Sequence, residues 1–209
     1  MSKVKLIIAV CLGVLAISAL TSASASAAGW MVGGTNLTGT EKLATTAAVD
    51  EKGVLTGGGV TITCEGKTLN GAAPQIEATN KGSATDLEFT GCKAAAPCSI
   101  ESEKVKTEPV TVEATLEGTL AVVATFKPKS GTVFTVLHFL GAECALEGEQ
   151  PVKGQAKVLA PTGQDERTLQ LINAISSESS GELKIGSAGA SLSGSALLKL
   201  ENGKPWSFL

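Results

Sequence analysis

The sequence is poor in the side chains on which most enzymes and metal centres depend. Its 209 residues include one histidine, His138, one arginine, Arg167, and no tyrosine, and aromatic residues make up only 3% of the chain. Histidine is the usual general acid or base near neutral pH and the commonest metal ligand. We therefore predict a protein that is not an enzyme and has no catalytic, metal or cofactor residues.

The N-terminal residues have a distinct order of basic, apolar and small side chains. Lys3 and Lys5 precede an apolar run over residues 6–20, and a small-residue tail ends in Ala25-Ser26-Ala27. This order is typical of a signal peptide, and the run is shorter than the roughly 20 residues of a transmembrane helix. We predict a signal peptide over 1–27, a single β domain over 28–209 and no stable membrane span in the mature chain. The protein is then secreted, either released or held at the cell surface.

Removing Lys3 and Lys5 from the 17 basic residues leaves 15 against 20 acidic residues, a net charge of −5. Nucleic-acid binding needs clustered basic side chains that neutralise phosphates. The basic residues here stand singly between acidic ones, so nucleic acid is excluded as a partner.

Four cysteines remain in the mature chain: Cys64, Cys92, Cys98 and Cys144. An even number in an exported chain predicts two disulfides, and four cysteines allow three pairings. The short segment between Cys92 and Cys98 favours a local bridge there and a second bridge from Cys64 to Cys144. A zinc site is the alternative, but structural zinc sites pair cysteines two to four residues apart, which none of these gaps matches.

Short runs of Val, Thr, Ile, Leu and Phe between Gly and Pro residues predict an all-β fold. Val60, Ile62 and Cys64 alternate with polar residues, as do the residues of 110–117, and alternation of this kind indicates a half-buried strand. Later in the chain Leu169 and Leu171, and then Leu183 and Ile185, alternate with polar residues and predict further strands. The best helical candidate, 41–52, lacks a wide apolar stripe. We expect an antiparallel β-sandwich or barrel-like domain stapled by disulfides.

Residues 119–140 read as a hairpin that is apolar on both faces. A central hairpin covered on both sides is the simplest account. The alternatives are a homo-oligomer formed through residues 119–140, and a membrane-inserting hairpin, against which Lys127 and Lys129 at the turn both argue.

Three groups of side chains deserve a functional alternative. His138 falls on a strand face with Phe134 and Val136, which favours a buried or half-buried histidine with a hydrogen-bond partner over catalysis. Acidic residues cluster near Cys144 and in a later loop, where a glycosidase pair is the alternative to a solvated surface. These acidic residues are Glu143, Glu147, Glu149, Asp165 and Glu166.

Trp30 and Trp206 lie near the two ends of the mature chain. They predict that the ends meet and cap the core, and a sugar platform is the alternative.

Short landmarks run along the mature chain: GW at its start, TITC, LEFTGC, Cys98, AEC and a final GKPW. In these the chain resembles a group of exported actinobacterial four-cysteine β-proteins of unknown function. The resemblance implies export, a β fold and bridged cysteines, and it implies no activity.

Three functions follow as hypotheses. The first is a non-enzymatic extracellular structural or interaction protein. The second is a carrier of a small apolar ligand, with residues 119–140 lining its cavity. The third is a hydrolase that uses the Glu143 to Glu149 cluster.

Overall fold

The computed structural model describes residues 28–45, 52–68, 74–117, 121–160, 167–180 and 182–209. The predicted signal peptide, Cys11, and the acidic pair Asp165 and Glu166 lie outside these residues. Within them the chain forms strands, one 3-10 helix at Glu178–Ser180 and no α-helix. The strands are β1 Trp30–Val32, β2 Thr35–Asn36, β3 Thr40–Thr45, β4 Gly53–Gly57, β5 Val60–Cys64, β6 Gly66–Thr68, β7 Gln75–Glu77, β8 Lys81–Ala84, β9 Glu88–Thr90, β10 Lys93–Ala94, β11 Ser99–Ile100, β12 Val105–Lys106, β13 Val110–Glu117, β14 Ala121–Pro128, β15 Val133–Leu140, β16 Gly148–Gly154, β17 Ala156–Ala160, β18 Leu169–Ser176, β19 Leu183–Ile185, β20 Ala188–Leu200 and β21 Trp206–Phe208.

Eight of these strands close into an antiparallel barrel, which confirms the predicted fold class. The hydrogen-bonded order is β20, β18, β17, β14, β13, β8, β7 and β3, and β3 pairs again with β20. Alternation explains which side chains face inward. In β13, Val110 and Ala114 are buried inside the barrel, whereas Thr111 and Glu113 are exposed.

A second group of strands extends from the first half of β20. On one edge β20 pairs with β4, which continues to β5 and β10. On the other edge it pairs with β19, which continues to β16, β15 and β11. The strand β20 therefore belongs both to the barrel and to this extension.

Two small sheets complete the molecule. The sheet β2-β1-β21 joins the two ends of the described chain, and the sheet β12-β9-β6 packs on the extension. In the first sheet Trp30 and Trp206 are buried with their ring centroids 6.0 Å apart. Backbone hydrogen bonds also join Gly29 and Leu209. The prediction that the two ends meet and cap the core with tryptophan is confirmed.

The core consists of two clusters. One fills the extension and contains the four cysteines with Phe134, Phe139 and Ile185. The other fills the barrel end closed by Trp30 and Trp206. Phe126 packs against both clusters, so one interior runs through the molecule.

Two disulfides form among the four predicted cysteines, but the favoured pairing was wrong. The bonds are Cys64–Cys92 and Cys98–Cys144. Antiparallel pairing of β5 with β10 sets Thr63 opposite Lys93, which brings Cys64 directly across from Cys92. The chain from Cys92 then runs along β10 and turns before Cys98, so Cys98 meets Cys144 beyond the end of β15.

Several predicted faces also differ from the structure. Leu169 and Leu171 are exposed and Gln170 is buried, because the Gln170 amide donates a hydrogen bond of 2.6 Å to the Trp206 carbonyl. Residues 41–45 of the helical candidate belong to β3, and residues 46–51 lie outside the described chain. The two described strands of the predicted hairpin over 119–140, β14 and β15, do not pair with each other. In their described part, β14 pairs with β13 and β17, and β15 pairs with β11 and β16.

Candidate ligand-binding site

An apolar cavity of about 260 Å³ lies between the two core clusters. The barrel contributes Leu43, Ile76 and Leu198, and the extension contributes Leu55, Ile62, Phe134 and Leu183. Trp30 and Trp206 line it from the closed barrel end, and Leu87, Phe89 and Val105 line it from the small sheet β12-β9-β6. The wall is almost entirely carbon.

The cavity exists because small residues take inward positions of the barrel. An eight-stranded barrel has an interior that side chains can just fill, or that can hold one small ligand. In this barrel many of the lining residues carry one side-chain carbon or none, and they cannot fill that space. They are Gly82, Ala84, Ala124, Ala156, Ala160, Ala174, Gly194 and Ala196.

Most polar groups in the wall have partners within the protein. Gln75 donates to Ser83 Oγ at 3.0 Å, and Ser83 donates to Glu77 at 2.7 Å. The Thr107 hydroxyl accepts a hydrogen bond from the backbone N–H of Leu87 at 3.0 Å. Buried polar groups normally find such partners, because a missing hydrogen bond costs about 1–3 kcal/mol.

The two tryptophans differ in this respect. The indole Nε1–H of Trp30 donates to the Lys81 carbonyl at 2.7 Å. Trp206 is 1% exposed, and its Nε1–H has no hydrogen-bond partner among the described residues. The indole N–H is a donor only, and it has less than 1 Å² of accessible surface, so it is buried from the cavity as well as from solvent.

Glu88 is the one charged residue among the described residues that line the cavity. Its carboxylate lies 3.7 Å from Lys106 Nζ, and Asp86 lies 3.1 Å from the same ammonium. The hydrogen bond to Asp86 and the charge of that carboxylate raise the pKa of Lys106 above its ordinary value of 10.5. The cavity wall therefore offers no unpaired charge from this side.

The polar residues that the sequence offered as functional candidates lie outside the wall of the cavity. His138 has the expected partner, since its Nδ1 is 2.8 Å from Glu101 Oε2, but 43% of its side chain is exposed. The register of β15 shifts between Val133 and Thr135, so Phe134 points inward and His138 outward on different faces. The predicted shared face was wrong for that reason.

The acidic cluster near Cys144 is spread over the surface. Glu143, Glu147 and Glu149 are all exposed and none of them lines the cavity. Glu149 is the cross-strand neighbour of His138. His138 therefore pairs with Glu101 and has Glu149 on the neighbouring strand, and all three residues are exposed and lie outside the described wall of the cavity.

Residues 119–140 do contribute to the cavity, although not as a hairpin. Ala124 and Phe126 of β14 line it, as do Phe134 and Leu137 of β15. Residues 119 and 120 lie outside the described chain. Sequence reasoning missed the decisive residues, which are the inward alanines. Ala156 and Ala160, which lie on the same face of β17, are the signal in the sequence that could have pointed to them.

In the part of the chain that the structure describes, no helix is long and apolar enough to cross a membrane. No group of three or more His, Cys, Asp or Glu side chains among those residues is placed to hold a metal ion. In comparisons with known proteins, no protein-family model, curated protein or solved structure matches the chain.

Proposed function

We propose that this chain is an exported, non-enzymatic β-barrel protein that binds and carries a small apolar molecule. The observation that supports the proposal is the cavity of about 260 Å³ between two buried core clusters. Ligand cavities are typically apolar with a few well-placed polar groups. The wall described above has this character.

The size of the cavity argues against a packing defect. An apolar cavity that stays empty destabilises a fold in proportion to its volume, by about 24 cal/mol per Å³ where it is fully enclosed. Net stabilities of folded domains are only about 5–15 kcal/mol. A ligand that restores the lost contacts offsets this cost.

The volume also bounds the ligand. An apolar cavity of about 150 Å³ accepts benzene, so the present cavity suits a molecule of roughly ten non-hydrogen atoms. Ligands of this size gain about 0.6 kcal/mol per atom, which corresponds to a dissociation constant on the order of 10–100 µM. Tetralin, a bicyclic hydrocarbon with ten carbon atoms, is a suitable probe.

The proposal is tested with a substitution in the wall that fills part of the cavity. Ala124 is 3% exposed and lines the cavity, and Ala124→Leu extends three further carbon atoms into it. We expect tetralin binding, measured by isothermal titration calorimetry, to weaken at least about tenfold, because the added carbons occupy the ligand's space. Cavity-filling substitutions commonly add about 0.5–2 kcal/mol, so the free energy of unfolding should stay level or rise.

The matched control is Ala44→Leu on β3. Ala44 is half-buried and does not line the cavity, so this variant should bind tetralin as the parent protein does. Saturable binding that is equal in all three proteins would contradict the cavity as the site. An absence of tetralin binding to the parent protein would contradict the proposal itself.

A structural or interaction role is the second candidate, and one surface feature favours it. Leu169, Leu171 and Ile175 are exposed along the outer face of β18. Val136 and Leu140, on the outer face of β15, are also exposed. We therefore also propose a homo-oligomer formed through residues 119–140 as one form of this role. Exposed apolar side chains that adjoin along one strand are typical of protein contact surfaces.

A further inference from the structure

We propose that the hydroxyl of Thr135 is a polar recognition group of the cavity, and that the ligand is a neutral molecule with an acceptor oxygen, such as an alcohol or a ketone. This inference rests on the proposed function and specifies its ligand class. It begins from a half-buried threonine in a wall that is almost entirely carbon.

The strand register turns the Thr135 side chain towards the cavity. After the irregularity in β15, Thr135 lies directly opposite Val152 of β16, which is 5% exposed and lines the cavity. Residues directly opposite each other on antiparallel strands have their side chains on the same face. The next residue, Val136, is 53% exposed on the other face. Thr135 therefore faces the interior, where it lines the cavity together with Leu137 of the same strand.

The Thr135 hydroxyl is accessible and has no partner among the described residues. It makes no hydrogen bond with any of them, and its oxygen is not one of the polar atoms that are both unpartnered and enclosed by protein, as Trp206 Nε1 is. Because the side chain faces inward, the accessible surface of this hydroxyl belongs to the cavity. The Thr107 hydroxyl, by contrast, is already bonded to the Leu87 N–H.

A threonine hydroxyl can donate one hydrogen bond and accept others. A polar group that is left unpaired in an apolar site is unfavourable. A ligand oxygen that accepts from Thr135 therefore gains affinity over a hydrocarbon of the same shape, which leaves the hydroxyl unpaired.

The charge of the wall limits the ligand further. Glu88 is the one charged residue among the described lining residues, and Lys106 Nζ lies 3.7 Å from its carboxylate. A ligand carboxylate or ammonium would be buried among carbon atoms with no free counter-charge. Such burial is strongly unfavourable, so the ligand is uncharged.

The experiment compares two probes of one shape, tetralin and 1-tetralone, which adds a carbonyl oxygen. Thr135→Val replaces the hydroxyl by a methyl group of similar size. We expect the ratio of 1-tetralone affinity to tetralin affinity, measured by isothermal titration calorimetry, to fall about fivefold in this variant, which is the effect of losing one neutral hydrogen bond. Tetralin affinity should stay level or rise, because tetralin forms no hydrogen bond with the hydroxyl.

Two variants and one further probe provide the controls. Thr135→Ser keeps the hydroxyl and removes one carbon atom, so both affinities should change together and their ratio should be kept. Thr125→Val makes the same exchange on β14 at a residue outside the described wall of the cavity, so both affinities should match those of the parent protein. The probe 1,2,3,4-tetrahydro-1-naphthoate, which carries a carboxylate, should bind the parent protein at least about tenfold more weakly than 1-tetralone.

A second measurement uses the unmodified protein and does not depend on how well Thr135→Val folds. Hydrogen bonding lowers the stretching frequency of a ketone carbonyl. We expect the infrared carbonyl band of bound 1-tetralone to lie below its position in cyclohexane, where the ketone has no hydrogen-bond donor.

The outcomes separate the two proposals. If neither tetralin nor 1-tetralone binds, the carrier function fails and this inference fails with it. If both bind but the affinity ratio is unchanged in Thr135→Val, or the carbonyl band of bound 1-tetralone stays at its cyclohexane position, the carrier function survives and the role of Thr135 is overturned. Tight binding of the naphthoate would overturn the neutral ligand class.

Discussion

Gly154 ends β16 with a φ of +108°, a value that side-chain-bearing residues rarely adopt. A Cβ at this position would overlap the backbone carbonyl oxygen of Glu182 on the neighbouring segment. Backbone strain of this kind costs about 1–3 kcal/mol, and the overlap adds to it because the obstacle is backbone. We expect Gly154→Ala to lower the free energy of unfolding by more than about 2 kcal/mol in urea titrations.

Gly148 provides the matched control at the other end of the same strand. Its φ is +94°, but a Cβ there would meet no atom within 4 Å. Gly148→Ala therefore reports the cost of the backbone conformation alone, about 1–3 kcal/mol. Equal losses in the two variants would show that the contact with Glu182 contributes nothing.

Single residues also show which side-chain directions could be predicted from the sequence and which could not. Val60, Ile62 and Cys64 point inward as their alternation predicts. Gln170 reverses the expected faces of β18, because a partner 36 residues away satisfies its amide. Phe134 leaves the predicted face of β15 at an irregularity in strand pairing. In each case the face to which the side chain points depends on a partner that is distant in the sequence, and local periodicity does not reveal that partner.

The same limit applies to whole elements, and the disulfides show it most clearly. Strand existence could be predicted for β5, β13 and β19 from composition and alternation. Which strand lies beside which depends on long-range pairing, so the predicted hairpin over 119–140 and the predicted cysteine pairing both failed. The cavity was predicted only as one alternative, because its volume is the sum of many small side chains on different strands.

Peptide mapping tests the pairing of the cysteines. Cleavage after lysine places Cys64, Cys92, Cys98 and Cys144 on four separate peptides, 53–67, 82–93, 94–104 and 130–153. Without reductant, we expect 53–67 linked to 82–93 and 94–104 linked to 130–153, because the strand register brings these cysteines together. A reduced digest is the control. A linked pair of 82–93 with 94–104 would contradict the structure.

At the scale of the whole molecule, export is the property that remains a proposal. The two disulfides are consistent with an oxidising compartment, and residues 1–27 have the order of a signal peptide. We expect the intact mass of protein recovered from the medium to correspond to a chain that begins at Ala28. Ala27→Phe, which puts a bulky residue before the cleavage point, should block or move this cleavage. A recovered chain that still carries residues 1–27 would contradict the proposal.

The sharing of β20 between the barrel and the extension has a consequence for biosynthesis. Both the barrel and the extension need β20, which supplies edges to β3, β4, β18 and β19. Chains emerge from the ribosome N-terminal end first, so neither sheet can close until residue 200 has been made. The strands made before β20 therefore cannot complete either sheet, and both sheets close only when this one strand is added.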